Sequence, residues 1–328
     1  MLQQFLSKES SFKLGQWQIE LSAILKQMLL YAIIVTIIWW IVGLTRPIGI
    51  DDTRWGDQRF IFLAGLDGVI NPYSVEGYIN PPWAYVFLLP FSLLPVEVAV
   101  LMQGILYHCV LMAIGFMYAP SKSTDRDKLF IGLALLTSPF FADIAVELNI
   151  DWIPAIGLLV PPSLSPIFIL AKPQNALGYY LSLEWKPLMR AILVGSAVIV
   201  MSFFIWGFDW INELLLSIQN TPPGGLNFNA APMSHIGILP SITIGLILAI
   251  GLIYNIHFST TSKSAQRQQR DLTLYAVVCG FFLLPYLAGY SLALIYALLV
   301  AKVPRIMLAL NIILWIGIII LLIPFFIS

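Results

Sequence analysis

Hydrophobic positions in this chain come in long runs separated by short polar connections. The first run is Met28 to Leu44, and others follow at about 82–94, 97–118, 129–147, 152–171, 174–185, 189–207, 237–255, 272–288, 289–301 and 305–327. Several are shorter than the ~20 residues a helix needs to cross a bilayer. Many are broken by proline: Pro82, Pro90, Pro95, Pro139, Pro154, Pro161, Pro162, Pro166, Pro173 and Pro285. Broken apolar segments are tolerated at membrane depth only where they are buried in protein or line a cavity. The pattern predicts an all-α polytopic membrane protein, a bundle of about nine to twelve transmembrane segments, several short or Pro-broken, around a polar cavity. The stretch 82–118 reads either as a re-entrant piece plus one span or as two spans. Residues 28–328 form a single transmembrane domain. Residues 1–27 are polar and amphipathic, without the pattern of a cleavable signal peptide, and predict an interfacial helix on the cytoplasmic surface.

Orientation follows from Lys and Arg between the runs. Lys122, Arg126 and Lys128 share one connection, and Lys263, Arg267 and Arg270 share another. No Lys or Arg occurs between Arg190 and Lys263. This places 256–271 inside and the loop 208–236 outside. With a cytoplasmic N-terminus, the loop 45–81 also falls outside. Both outer loops mix aromatic, polar and turn-forming residues, NPYSVEGYINPPW in the first and NTPPGGLNFNAAP in the second. Such loops cap cavities and carry function.

Composition strengthens the membrane reading. The chain is 59% hydrophobic and only 10% charged, against roughly 25% charged in soluble domains. Its mean hydropathy is +0.88. The net charge is zero, with no dense basic cluster, so nothing points to nucleic acid. Cys109 and Cys279 both lie within apolar runs and read as small hydrophobes, not as a disulfide. No phosphate-binding glycine loop, HExxH, CxxC or GxSxG pattern is present. His108, His235 and His257 are too far apart in sequence to suggest a metal site.

Three local features carry candidate chemistry. The first loop holds Asp51, Asp52, Asp57 and Asp67 with Arg54 and Arg59. These charges read either as a solvated loop paired with itself or with headgroups, or as a general base beside an anion clamp. The second feature is PYSVEGYINPPWAYVFLLP, Pro72 to Pro90, whose Tyr73, Tyr78, Trp83 and Tyr85 fit an aromatic belt at the interface. The third is the stretch from Glu147 to Asn175, where Asn149, Asp151, Lys172 and Gln174 sit among apolar residues. An ionisable group at membrane depth costs about 2.5–3.5 kcal/mol on insertion scales. A single crossing from Trp152 to Ala171 would bring Lys172 to the cytoplasmic surface. A hairpin turning at Pro161-Pro162 would return it to Asp151 and the first loop.

Taken in order, these features resemble the GT-C class of membrane glycosyltransferases, and within it the polyprenol-phosphate-mannose-dependent, mannosyltransferase-like family of bacteria. The resemblance rests on Asp57-Gln58-Arg59-Phe60, Gly68-Val69-Ile70-Asn71-Pro72-Tyr73, Asn80-Pro81-Pro82, Pro90-Phe91-Ser92-Leu93-Leu94-Pro95, Leu148-Asn149-Ile150-Asp151 and Lys172-Pro173-Gln174. It covers roughly residues 28–190. Pro285-Tyr286 and Tyr290 are fainter echoes. Asn80 stands where the family carries an aromatic residue, Leu148-Asn149-Ile150-Asp151 departs from its Gly-Gln-x-Asn pattern, and the chain is short for a full transferase.

The resemblance implies a multi-pass enzyme of a bacterial-type plasma membrane. It would transfer a sugar from a polyprenyl-phosphate donor to an acceptor on the outer face by inverting displacement. It assigns the base to Asp57, with Asp51 or Asp52 in reserve. Lys172, Arg54 and Arg59 would bind the donor phosphate. Glu76, Tyr78, Asn149, Asp151 and Gln174 would line the cavity. No cofactor and no bound metal is implied; a divalent ion beside Asp51 and Asp52 is compatible with the sequence without being required. The partners expected are the lipid-linked sugar and membrane lipids. The alternative is a non-catalytic subunit or transporter-like protein on the same scaffold, binding lipid or other proteins.

Overall fold

The computed structural model describes residues 10–14, 17–45, 61–75, 77–220, 231–258, 265–284 and 291–327. Among the described residues the chain is helical apart from a short N-terminal hairpin, with the apolar helices of a polytopic membrane protein. Strands β1 (Ser10–Leu14) and β2 (Trp17–Leu21) pair antiparallel, with Phe12 opposite Ile19 and Leu14 opposite Trp17. An interfacial helix was expected for this segment. The local sequence explains the difference: Phe12, Leu14, Trp17, Ile19 and Leu21 follow a period of two around Gly15-Gln16, which suits a hairpin and not a helix.

The helices that follow are α1 (Ala23–Thr45), α2 (Gly65–Ile70), α3 (Ala84–Ser92), α4 (Val96–Met117), α5 (Asp125–Leu136), α6 (Pro139–Glu147), α7 (Trp152–Gly157), α8 (Ser165–Ile169), α9 (Trp185–Trp206), α10 (Trp210–Asn220), α11 (Pro232–Ile236), α12 (Ile238–Phe258), α13 (Ala265–Phe282), α14 (Leu292–Lys302) and α15 (Pro304–Ile327). Among the described residues, α1, α4, α9 and α12 are long and apolar enough to cross a membrane alone. The pair α5–α6, bent by 48° at Ser138-Pro139, makes a fifth. Helix α15, 24 residues long and apolar, is also of spanning length, so the described residues hold fewer crossing segments than the nine to twelve expected. Several apolar runs fold instead as pieces too short to cross, packed inside the bundle. In 82–118 the nine-residue α3 carries Pro90 and only α4 is full-length, which is the arrangement of a short piece plus one span.

The run 152–171 does not cross. It doubles back as the six-residue α7 and the five-residue α8, turning through Pro161–Leu164. Gly157 lets the two arms close, since a side chain there would strike Ile169. The hairpin tip is tied to the end of α4, where the Tyr118 hydroxyl donates to Leu158 O (2.9 Å). The next run, 174–185, forms 3-10 turns at Pro173–Asn175 and Leu177–Ser182. Gly178 presses against the α13 backbone at Ala276 and Gly280.

The two ends of the bundle differ in charge. At one end, Arg305 Nη2 bonds Asp127 Oδ1 (2.9 Å), and Lys302 Nζ reaches the Arg270 carbonyl (3.2 Å) and the Asp271 carboxylate (3.6 Å). These contacts gather the starts of α5, α13 and α15 with the end of α14, and with them Lys122, Arg126 and Lys128. At the other end, the two outer loops expected from the sequence meet. Trp206 Nε1 donates to Val69 O (2.5 Å), and Ser217 Oγ donates to Tyr78 O (2.6 Å). The described residues of the second of these, 208–236, form helices α10 and α11.

Candidate functional site

The polar centre of the bundle lies where the re-entrant hairpin begins and ends. Lys172 follows α8 and Asp151 precedes α7, and folding the hairpin brings the two side chains into a buried ion pair, 5% and 1% exposed. Lys172 Nζ also donates to Asn149 Oδ1 (2.7 Å). The second carboxylate oxygen of Asp151 accepts from Ser291 Oγ (2.7 Å) at the start of α14. Asp151 stands at the N-cap of α7, where its carboxylate would ordinarily accept the helix's free amides. Its side chain makes no such bond and turns to Lys172 instead.

The depth of this cluster follows from α14. Its 11 residues, at about 1.5 Å rise each, set Ser291 roughly 16 Å from the basic end at Lys302. That is about half the ~30 Å hydrocarbon thickness of a bilayer. Two opposite charges at this depth persist because each neutralises the other, with further hydrogen bonds from Lys172 to Asn149 and from Ser291 to Asp151.

Next to the cluster, Asn175 is fully buried, and neither its side-chain nitrogen nor its oxygen has a hydrogen-bond partner among the described residues. Trp152, beside Asp151, donates through Nε1 to Gln103 Oε1 (3.1 Å). Gln174 is half-buried in the turn after Lys172.

A wall of tyrosines comes from the first loop and the start of α3. Tyr78 is buried and stacks on Tyr85 (4.2 Å, 26°), with Tyr73 tilted against its other side (5.9 Å). Its hydroxyl donates to Pro81 O (2.7 Å), and that of Tyr85 to Ile61 O (2.5 Å). Burial raises the Tyr73 hydroxyl pKa above its ordinary value, and the nearby Glu213 carboxylate raises it further. Helix α3 connects this wall to the hairpin. Phe87 packs on Phe168 of α8 (5.1 Å) and Phe91 meets Trp152 of α7 edge-on (5.7 Å).

Of the residues singled out from the sequence, Lys172, Asn149 and Asp151 are therefore in direct contact. Tyr78 and Gln174 belong to neighbouring parts of the same region. Asp51, Asp52, Arg54, Asp57, Arg59 and Glu76 lie outside the described residues, as do Pro285, Tyr286 and Tyr290. Nothing in the local pattern singles out Ser291 or Gln103. A serine opening an apolar helix and a glutamine inside one are ordinary until the partner is seen. Among the described residues no three His, Cys, Asp or Glu side chains gather as metal ligands, and Cys109 and Cys279 are free thiols. No family model, no curated protein and no solved structure matches this chain.

Proposed function

We propose that the protein is a GT-C-like membrane glycosyltransferase that moves a sugar from a polyprenyl-phosphate donor to an acceptor on the outer face of a bacterial-type plasma membrane. One observation carries the reading: two sequence-distant segments that resemble such enzymes, 72–95 and 147–175, pack against each other through α3. On this reading the basic end faces the cytoplasm, in keeping with the excess of Lys and Arg there. The opposite end, where the loops meet, faces outward.

Lys172 is the cation for the donor phosphate, and Asp151 holds its charge until the donor arrives. A phosphate oxygen then replaces the carboxylate on Nζ, with Asn149 keeping the ammonium in place. The acceptor hydroxyl loses its proton to Asp57 as its oxygen attacks the anomeric carbon. The bond from that carbon to the phosphate oxygen breaks, and the polyprenyl phosphate leaves with the electron pair. Arg54 and Arg59 are further phosphate ligands.

A second reading is favoured by the pairing itself. Lys172 already has an anion, so the pair is also what a non-catalytic lipid-binding or transporter-like protein would use to fix its hairpin. The two readings part on one experiment. Replacing both charges by apolar residues of similar size leaves a buried pair's contribution to folding nearly unchanged. Native mass spectrometry of the purified protein should find polyprenyl phosphate on the wild type and not on the folded Lys172→Met/Asp151→Leu double variant. Equal lipid on both, or none on the wild type, supports the second reading.

A further inference from the structure

We infer that α10 is an in-plane helix seated in the membrane surface, and that its partner is the acyl–headgroup boundary of the bilayer. The inference does not depend on the sugar-transfer reading. Helix α10, WINELLLSIQN, leaves the end of the crossing helix α9 at Gly207. The φ of Gly207 is +76°, a backbone conformation that glycine adopts without strain.

At about 100° per residue, the helix has three faces. Trp210, Leu214 and Ser217 form the face turned to the protein. Trp210 is buried edge-on against Trp83 (5.7 Å), and Ser217 holds the Tyr78 carbonyl. Ile211, Leu215 and Ile218 fall on a second stripe, about 100° around from the first, and are 40%, 52% and 50% exposed. Asn212 and Gln219 are exposed on the side away from both. Leu216 alone interrupts that polar side.

A helix that borders only protein and water needs two faces. The apolar stripe is a third, and it follows closely in sequence on Phe204, Ile205 and Phe208, which are exposed in the last turn of α9 and just after it. Helix α9 is long and apolar enough to cross the membrane, so exposed side chains at its end meet lipid, and a stripe that begins three residues after Phe208 lies at the lipid boundary too. The polar side then faces water. Since Trp210 packs on Trp83 at the start of α3 and Ser217 holds Tyr78 of the first loop, seating the stripe in lipid fixes the depth of the tyrosine wall.

The test is spin-label accessibility in nanodiscs, with Cys109 and Cys279 replaced by alanine and single cysteines placed at Leu215, Ile218, Asn212 and Gln219. The labels at 215 and 218 should collide several-fold more with oxygen than with a water-soluble nickel chelate. Those at 212 and 219 should show the reverse. Strong nickel collisions at all four positions would place the stripe in water and overturn the inference. Shielding of 215 and 218 from both reagents would also overturn it, by showing that protein covers the stripe.

Discussion

Lys172 and Asp151 sit at a depth where neither charge is stable alone, so each single substitution should be worse than the double one. Removing one partner of a buried pair costs about 3–5 kcal/mol, whereas replacing both is often neutral. Lys172→Met and Asp151→Leu should each lower the thermal unfolding temperature markedly in nanodiscs, and the double variant should recover most of the loss. Losses that simply add would mean that the pair contributes no mutual stabilisation. Ser291→Ala should cost less, about 0.5–1.5 kcal/mol for one hydrogen bond. Much of this cluster is legible in the sequence, because charges are scarce and Asp151 and Lys172 flank an apolar run with Pro161-Pro162 inside it. Ser291 is not legible, since it acts across 140 residues of chain and nothing in its local pattern marks it.

At the scale of elements, the bundle's interior is built from short arms as much as from spans. The 3-10 segment Leu177–Ser182 illustrates why: it lies so close to α13 that only glycine fits at the crossing. Gly178→Ala should cost about 1–3 kcal/mol by forcing the segment away from Ala276. Gly251→Ala is the matched control, since a methyl group there meets nothing within 4 Å. It should be neutral or stabilising by up to about 1 kcal/mol, as expected for alanine in a helix. Thermal unfolding of both variants checks the contrast, and equal losses would contradict the close approach. Proline positions in the sequence say that apolar runs break. They do not say how closely the fragments pack, which depends on distant glycines. The N-terminal hairpin was hidden for a different reason: five-residue strands with period-two alternation disappear when a polar segment is read as one unit.

At the scale of the molecule, the separation of a basic end from a loop-covered end is the basis of the proposed orientation. Cysteine labelling of cells carrying Gln219→Cys or Ser121→Cys, on a background lacking the native cysteines, should mark Gln219→Cys from outside and spare Ser121→Cys. The reverse would invert the protein and move the site to the cytoplasmic face. The positions of Lys and Arg made this separation readable from the sequence. The number of spans was not readable, because hydropathy alone cannot tell a crossing helix from a buried arm. The proposed chemistry turns on Asp57. Purified protein in proteoliposomes, given a polyprenyl-phosphate-linked hexose and membrane-derived acceptors, should transfer the sugar. Asp57→Asn should lower the rate by about 10²–10⁴-fold, the usual contribution of a positioned general base, with thermal stability unchanged. Undiminished transfer by Asp57→Asn would contradict the assignment of the base, and no transfer by the wild-type protein from any polyprenyl-phosphate sugar would contradict the function.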